Sequence, residues 1–232
     1  MTSKAKFYEV GGRVRDAFLH LESNDIDYAV EADSYEAMRE AILGRGGEIF
    51  LESPEYLTVR AKVPGIGPAD FVLCRKDGSY SDCRHPDKVE PGTLLDDLAR
   101  RDFTMNAMAR DKDGTLYDPH GGVEDMKLDG GTLRCVGDAT TRFEEDALRM
   151  LRAIRFSVTK YMKLDGDIDK CLKDPRLVHL LYKVSVERTR EELNKAFKFD
   201  TLGTLLLLDK YPLVREALFV LGNLRLKGTL EK

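Results

Sequence analysis

The sequence predicts an α+β region followed by a helical region. In residues 1–130, short strand-like apolar segments alternate with amphipathic helices and with turns that contain Pro or Gly. From Thr141 onwards, the apolar residues recur almost entirely at helical spacing. The 232 residues are enough for two domains, and the pattern changes at Asp129-Gly130-Gly131. We therefore predict a mixed sheet with helices in residues 1–130 and an all-helical domain in residues 131–232.

Local signals define the elements of the first region in order. A strand is predicted at Phe7–Val10, and four apolar residues at helical spacing indicate the helix after it: Val14, Ala17, Phe18 and Leu21. Ser34 is a typical N-cap for the next helix, which we expect to end at Gly44. A third helix is expected from Thr93. Strand composition between turns predicts four further strands: Glu48–Leu51, Tyr56–Val63, Ala69–Cys74 and Gly114–Tyr117.

The composition is typical of a globular protein that works in water. Hydrophobic residues make up 42% of the chain and charged residues 34%, and no apolar run approaches the roughly 20 residues that span a bilayer. The N-terminus lacks the apolar segment of a secretion signal, so we expect a cytoplasmic location and no membrane partner. The cysteines form no CxxC pair, which predicts reduced structural thiols: Cys74, Cys83, Cys135 and Cys171.

The charge is distributed unevenly along the chain. Residues 1–130 contain 17 Lys and Arg against 26 Asp and Glu, a formal net charge of −9. Residues 131–232 contain 20 against 15, a formal net charge of +5. An acidic first region suits a metal site, and a basic second region suits a nucleic acid or a triphosphate.

A glycine pair, Gly11-Gly12, lies between the first predicted strand and the helix after it. Because glycine has no side chain, the backbone of this turn can approach an anion closely, and the N–H groups at a helix start favour bound phosphate. Arg15 lies in the first helical turn, within reach of the same anion. The segment also fits an ordinary strand-turn-helix connection, because short glycine motifs are frequent.

Asp25 and Asp27 are separated by one residue. In a strand, alternate side chains share a face, so the two carboxylates would point the same way about 7 Å apart. Such a pair suits a two-metal site for phosphoryl transfer, and magnesium prefers oxygen ligands of this kind. Ser23-Asn24-Asp25 also fits a polar turn, whereas Ile26 and Tyr28-Ala29-Val30 favour the strand.

Three longer segments, together with GGxVRD and DxD, carry a family resemblance. Leu98–Met108 contains RRDFTMNA, Asp118–Gly122 reads DPHGG, and Glu145–Phe156 reads EDALRMLRAIRF. A weaker continuation runs from Ser185 to Leu193. These five ordered motifs resemble those of the class II tRNA nucleotidyltransferase and poly(A) polymerase family.

The resemblance implies a nucleotidyltransferase head, a helical neck, and transfer of a nucleotide from CTP or ATP to an RNA 3′ end. It implies Mg²⁺ as cofactor, held by Asp25 and Asp27, with Asp70 as a third carboxylate that helps to activate the 3′-hydroxyl. The alternative for Asp70 is a strand-edge residue after Pro68. The residues implied to bind the nucleotide are Gly11, Gly12, Arg15, Arg101, Asp102, Asp146, Arg149, Arg152 and Arg155. The Asp118–Gly122 turn would be a hinge between head and neck.

The chemistry of Asp146 and Arg149 independently fits base recognition. A carboxylate accepts from an exocyclic amine and a guanidinium donates to ring acceptors, so together they could read the Watson–Crick edge of C or A. Spaced by three, they would be neighbours on one helix, whose opposite face is apolar: Ala147, Leu151, Ile154 and Val158. The segment also fits an ordinary helix that is capped by Thr141 and in which Glu145 pairs with Arg149.

We therefore expect an RNA 3′-end nucleotidyltransferase of the tRNA CCA-adding type, with tRNA or another RNA 3′ end, CTP and ATP as partners. The alternatives are a poly(A) polymerase or a transferase for another RNA, and a non-catalytic module that binds nucleotide or RNA. Family members usually continue into body and tail domains, which we expect to be absent here because the chain stops at Lys232. The sequence does not determine whether the protein is a monomer or a homo-oligomer.

Overall fold

The structure is a computed structural model, and it describes residues 5–22, 26–80, 86–127 and 130–221. The chain divides into two compact units. The first unit comprises residues 1–79 and 86–128, and the second comprises residues 80–85 and 129–232. The large sheet lies in the first unit.

A seven-stranded mixed sheet dominates the first unit. Its strands are β1 (Lys6–Val10), β2 (Asp27–Glu31), β3 (Glu48–Ser53), β4 (Thr58–Val63), β5 (Gly67–Leu73), β8 (Ala109–Arg110) and β9 (Leu116–Tyr117), while β6 (Arg75–Asp77) and β7 (Val89–Pro91) form a separate ribbon. The strand order is β3-β4-β5-β2-β1-β8-β9. Only β2 and β5 run parallel within this order, and they lie next to each other near its middle. The predicted mixed sheet with helices is confirmed.

One face of this sheet forms a hydrophobic core. The helices of the first unit are α1 (Gly12–Phe18), α2 (Tyr35–Leu43), α3 (Leu94–Ala99) and α4 (Gly122–Lys127). Met38 and Ile42 of α2 pack with Val30 and Phe71 of the sheet in this core. Tyr28 lies opposite Phe71 in the β2–β5 register, and their rings stack with centroids 5.3 Å apart. Because strand side chains alternate, the residues before each of these two point to the opposite face.

The caps predicted for α2 and α3 are confirmed. The Ser34 hydroxyl accepts a hydrogen bond from the Ala37 amide at 3.1 Å, and Gly44 follows the last residue of α2. Thr93 caps α3 through a reciprocal pair of bonds with Asp96. The predicted strands are present with shifted ends, because Pro54–Tyr56 forms a 3₁₀ turn and β4 therefore begins at Thr58.

The helix predicted after the glycine pair is present as α1, but most of the apolar residues that indicated it are exposed. The helix ends at Phe18, and both Phe18 and Leu21 are exposed. Val14 alone of the four predicted apolar positions is buried, together with Arg15 and Asp16. The buried side of α1 therefore carries an ion pair next to Val14, and Arg15 of this pair also donates to the distant Asn106.

The second unit is helical apart from one short strand pair in its described part. Its helices are α5 (Ala139–Glu145), α6 (Leu148–Thr159), α7 (Gly166–Cys171), α8 (Pro175–His179), α9 (Val186–Phe199), α10 (Thr201–Asp209) and α11 (Pro212–Arg215), with a 3₁₀ turn at Leu180–Lys183 and a π-helix at Glu216–Leu221. Strands β10 (Thr132–Leu133) and β11 (Lys163–Leu164) pair in parallel. The predicted apolar face of α6 is confirmed, because its members are buried: Ala147, Leu151, Ile154 and Val158.

The predicted Thr141 cap is wrong, and so is a continuous helix through Asp146. Asp138 is the N-cap of α5, and its carboxylate accepts from the Thr141 amide at 2.8 Å. Aspartate is as good an N-cap residue as threonine. Asp138 caps the helix, which therefore begins three residues earlier than a cap at Thr141 would place it. The helix ends at Glu145, because Asp146 has an extended backbone, and α6 starts at Leu148.

Three cysteines are free and buried, as expected for structural thiols: Cys74, Cys135 and Cys171. Cys83 lies outside the described residues. Across the part of the chain that the structure describes, no helix has both the length and the apolar composition needed to cross a membrane.

Candidate active site

The glycine turn of the first unit lies against a carboxylate and a guanidinium. Gly11 has φ 72° and ψ −135°, a backbone conformation that favours glycine. A Cβ atom built on Gly11 would lie 3.5 Å from Asp27 Oδ2 and 3.7 Å from Arg101 Nη1. The turn therefore brings Gly11, Asp27 and Arg101 together, with Gly12 as the first residue of α1.

Asp27 and Asp70 are direct neighbours across the parallel pair β2–β5. Both lie on the face opposite the core, because Tyr28 and Phe71 next to them point into the core. They line one cavity of about 530 Å³ together with Phe50 and Arg60. Asp25, the other predicted metal ligand, lies outside the described residues.

The donor set at this pair fits a hard divalent cation. Carboxylate oxygens are the ligands that magnesium prefers, and in-register residues of adjacent strands lie about 4.8 Å apart. The missing side chain of Gly11 leaves space beside Asp27 Oδ2. Among the described residues, no group of three His, Cys, Asp or Glu side chains is close enough to hold a metal. The residues that could hold one are therefore Asp27 and Asp70, with Asp25 as the predicted addition.

Asp70 forms an ion pair with Arg60, its neighbour across the β4–β5 pair. Arg60 Nη2 donates to Asp70 Oδ2 at 2.6 Å, and Arg60 Nε donates to the other carboxylate oxygen. The sequence analysis did not identify Arg60. Arg60 alternates with buried valine and alanine, which is typical of a strand residue that faces away from the core. The residues around Arg60 do not predict Asp70 as its partner.

Arg15 and Asp16 belong to a buried network with the RRDFTMNA segment. Arg15 donates to both oxygens of Asp16, at 2.7 and 2.9 Å, and to Asn106 Oδ1 at 2.7 Å. Asn106 in turn donates to Asp102 Oδ1 at 3.0 Å, and the Phe103 amide donates to the same oxygen at 2.8 Å. The structure thus brings Arg15 and Asp102 together through Asn106, in a buried position.

Arg101 is oriented by two acceptors. Its Nη2 donates to Asp97 Oδ2 at 3.0 Å, and its Nη1 donates to the Asn106 carbonyl oxygen at 3.1 Å. Asp97 is 2% exposed and also accepts from Arg100. Burial alone would raise the pKa of the Asp97 carboxyl, but the adjacent Arg100 and Arg101 guanidinium groups hold that pKa below its ordinary value. The sequence signal for Asp97 is its spacing of three and four residues from the two arginines.

The Asp118–Gly122 turn packs directly on the RRDFTMNA segment. The Asp118 carboxylate accepts from the amides of Gly122 and Val123, at 2.7 and 2.9 Å, and so caps α4. A Cβ atom on Gly122 would lie 2.3 Å from the Thr104 carbonyl oxygen, so only glycine fits there. This contact explains why the second glycine of the motif is needed, and the hinge role remains a prediction.

In the second unit, Asp146 lies in the break between α5 and α6. Its Oδ1 accepts from the Leu148 amide at 3.1 Å, and its Oδ2 accepts from Arg188 Nη2 of α9 at 2.7 Å. Asp146 therefore has a fixed orientation, although it does not lie within one helix with Arg149 as we expected. Arg188 is a residue that the sequence analysis did not identify.

The arginines of α6 are paired with glutamates. Arg149 Nη1 donates to Glu145 at 2.6 Å, which confirms the predicted pair. Arg155 pairs with Glu192 of α9, and its guanidinium lies 3.9 Å from the centroid of the Phe156 ring. Arg152 Nη1 is 4.0 Å from the same Glu192 carboxylate. The structure thus gathers Arg152 and Arg155 around one buried glutamate, while Arg149 lies with Glu145.

Comparison with known proteins identifies the family of this chain. Residues 7–130 match the family model described as the Poly A polymerase head domain. The chain belongs to this family. The matched residues of this chain include the glycine turn, the Asp27–Asp70 pair and the RRDFTMNA segment. The resemblance stated from the motifs is confirmed.

Relatives of known activity resemble the head and the region after it. A CCA-adding enzyme of Leuconostoc mesenteroides is 40% identical over 189 residues, which are 81% of this chain and 45% of that protein. The chain thus spans less than half of the length of that relative. The structure of a Bacillus stearothermophilus CCA-adding enzyme in complex with CTP matches with a TM-score of 0.77 and 33% identity, over 90% of this chain and 49% of the other.

A further structural match is a complex with tRNA. A tRNA nucleotidyltransferase complexed with a primer tRNA and an incoming ATP analogue matches with a TM-score of 0.72 and 32% identity. The match covers 92% of this chain and 59% of that protein. The likeness therefore extends beyond the poly(A) polymerase head into the helical unit.

The Asp97 ion pair leads to a prediction about stability. Asp97→Asn leaves two partly buried guanidinium groups without the carboxylate that pairs with them, and we expect the free energy of unfolding at pH 7 to fall by about 2 kcal/mol. The folded-state pKa of Asp97 is lowered, so its contribution is complete above the unfolded pKa of about 3.9 and is lost as the pH falls through the folded pKa. Urea unfolding from pH 7 to pH 3 should show the difference between wild type and variant shrinking below about pH 4. Asp113→Asn, at an exposed surface pair, is the control and should change stability by less than about 1 kcal/mol. An equal loss for both variants would contradict this account.

Proposed function

We propose that this chain contains the catalytic head and the nucleotide-selecting neck of an RNA 3′-end nucleotidyltransferase of the tRNA CCA-adding type. It transfers CMP, AMP or both from CTP and ATP to the 3′-hydroxyl of a tRNA, with release of pyrophosphate. The observation that carries the proposal is the Asp27–Asp70 pair, in register on parallel strands and beside the Gly11 turn. The names of the relatives support the same activity.

In this proposal, Asp27 and Asp70 hold a divalent metal ion, Mg²⁺, and Asp25 adds a further carboxylate. A bound ion of this kind neutralises charge that develops on the triphosphate during in-line transfer. Asp70 also faces the incoming 3′-hydroxyl and helps to activate it. The backbone of Gly11 and Gly12 approaches the triphosphate, because no side chain stands between the turn and Asp27.

The remaining site residues position the nucleotide. Arg101 lies beside Gly11 and contacts the nucleotide sugar together with Asp102, whose orientation is fixed by Asn106. Arg15 supplies positive charge behind the turn, and its bonds to Asp16 and Asn106 keep that charge in place. The neck reads the base with Asp146, in the break before α6, and with Arg149 of α6. Arg152 and Arg155 lie on α6 as well. Catalysis in such a site comes from positioning and charge neutralisation.

Nucleotide addition tests this proposal. A tRNA that ends just before CCA is incubated with radiolabelled CTP or ATP, Mg²⁺ and the full chain, and the product ends are sequenced. We expect added C, A or CCA, and Asp27→Asn should lower the rate by about a thousandfold, because several kcal/mol of charge stabilisation is lost. Asp33→Asn, an exposed residue just after β2, is the matched control and should keep the wild-type rate.

Other outcomes of the same assay decide between the alternatives. Long A-tails on unrelated RNA, with CTP ignored, would identify a poly(A) polymerase or a transferase for another RNA. Nucleotide binding without any addition would identify a non-catalytic binding module. Addition that continues undiminished in Asp27→Asn would contradict the role of the carboxylate pair.

The Arg188–Asp146 bond predicts how base recognition can be weakened without loss of the fold. Arg188→Gln removes a charge-assisted hydrogen bond from Asp146, so we expect the KM for the nucleotide to rise about tenfold and kcat to change less. Arg190→Gln, an exposed residue of the same helix, is the control. Steady-state kinetics with CTP and ATP measure both constants. A fall in kcat alone, with KM unchanged, would contradict a role in orienting the base reader.

A further inference from the structure

Five neighbouring strands place a row of chemically distinct residues across one face of the sheet. In the order of the strands, the row begins at β3 and ends at the turn after β1: Phe50, Arg60, Asp70, Asp27 and Gly11. Arg60 pairs with Asp70 in the β4–β5 register, Asp70 with Asp27 in the β2–β5 register, and Gly11 directly follows the β1 residue opposite Asp27. The two carboxylates therefore have the glycine turn on one side and Arg60 on the other.

The order of residues in this row gives the carboxylate pair two sides, one for each substrate. The inference rests on the proposed function, in which the triphosphate lies at the glycine turn. The other reactant, the RNA strand with its 3′-hydroxyl, must then approach the carboxylates from a different direction. The cavity on the Arg60 side has a volume of about 530 Å³, and the RNA strand can approach the carboxylates through it. Nothing in the roles assigned above uses Arg60 or Phe50.

Both residues have the chemistry that binds single-stranded RNA. Phe50 lies at an irregularity in the β3–β4 register and is 58% exposed, so its ring is accessible to a base. Stacking on an aromatic ring tolerates every base, because each base has a π-face. Arg60 is half exposed, and its planar guanidinium matches a phosphate group as well as it matches a carboxylate.

The bond between Arg60 and Asp70 makes this binding depend on metal. Both carboxylate oxygens of Asp70 accept a hydrogen bond from Arg60. A divalent cation bound to the same oxygens competes with the guanidinium for them. A cation on the Asp27–Asp70 pair would also repel the adjacent guanidinium. An Arg60 side chain displaced from Asp70 can bind another anion, and the reaction brings the backbone phosphate of the RNA.

We propose that Arg60 and Phe50 form a binding site for the 3′-terminal nucleotide of the RNA strand, and that Asp70 holds Arg60 until a divalent cation occupies the Asp27–Asp70 pair. In the metal-free state, Arg60 is the counter-ion of Asp70. In the loaded state, Arg60 binds the terminal phosphate, and Phe50 stacks on the terminal base. Arg60 is a positioning residue for the strand that supplies the 3′-hydroxyl.

Metal binding without any reaction tests the first half of the proposal. Mn²⁺ is titrated into the full chain, and free Mn²⁺ is measured by electron paramagnetic resonance. Arg60→Gln should bind Mn²⁺ about threefold or more tightly than wild type, because the competing cation is gone. Lys62→Gln removes one positive charge from the same strand two residues away and should change the affinity much less. Asp70→Asn should weaken the binding.

RNA binding tests the second half. Fluorescence anisotropy measures a labelled short single-stranded RNA with a free 3′-hydroxyl, with Mn²⁺ or with EDTA and without nucleotide. Mn²⁺ should strengthen binding to wild type and to Lys62→Gln. Arg60→Gln should lose that gain, and the slope of log affinity against log salt should fall by about one. Phe50→Ala should weaken binding about tenfold.

Specific results would overturn the proposal. One is an equal Mn²⁺ affinity of wild type and Arg60→Gln, and another is a metal-dependent gain in RNA binding that survives Arg60→Gln. Either would leave Arg60 as a structural partner of Asp70 only. Should Arg60→Gln fail to fold by circular dichroism, Arg60→Lys keeps the charge but loses the two-bond geometry, and it should lose most of the gain. No addition of nucleotide by wild type, with both binding results as expected, would refute the proposed function and leave this site standing.

Discussion

The parallel pairing of β2 with β5 is the constraint on which the chemistry of the first unit depends. It sets Asp27 and Asp70 side by side on the face of the sheet that the core does not use. Two negative charges at the spacing of adjacent strands repel each other, and a cation close by offsets this repulsion. Arg60 provides one in the structure, and the proposed metal ion provides another. The sheet therefore builds a site whose electrostatics depend on which cation is present.

The rest of the head keeps the glycine turn and its arginines against this pair. Asn106 has the central role, because its side chain accepts from Arg15 and its backbone carbonyl accepts from Arg101. Asp97 fixes Arg101 from the other side. The RRDFTMNA segment thus holds Arg15 and Arg101 in place, and it also contains the two residues proposed to contact the nucleotide sugar. In the second unit, α9 has a comparable role, since Arg188 and Glu192 orient side chains at the start and along the length of α6.

The sequence could predict those features that depend on neighbouring residues. Ser34 and Thr93 cap helices through contacts within four residues, and the Glu145–Arg149 pair needs one helical turn only. The resemblance supplied the order of the motifs and hence the candidate site. The cap of α5 could not be predicted in this way, because Asp and Thr are both good N-cap residues and the structure uses Asp138, three residues before Thr141.

Contacts between residues that lie far apart in the chain could not be predicted from the sequence. Arg60 and Asp70 are 10 residues apart, Asp146 and Arg188 are 42 apart, and Arg15 and Asn106 are 91 apart. Each pair depends on strand register or on helix packing, which no local pattern encodes. The burial of Arg15 and Asp16 in α1 likewise depends on Asn106, which lies far away in the chain, so the apolar residues of this helix did not predict which of its sides is buried.

The proposed chemistry depends on one cation site formed by Asp27 and Asp70 beside the glycine turn. Anomalous diffraction from crystals of the full chain soaked in Mn²⁺ measures the position of the ion directly. The account predicts a peak about 2 Å from a carboxylate oxygen of Asp27 and from one of Asp70, with Arg60 moved away from Asp70. A peak at other residues, or one bound to Asp27 with the Arg60–Asp70 ion pair intact, would contradict it.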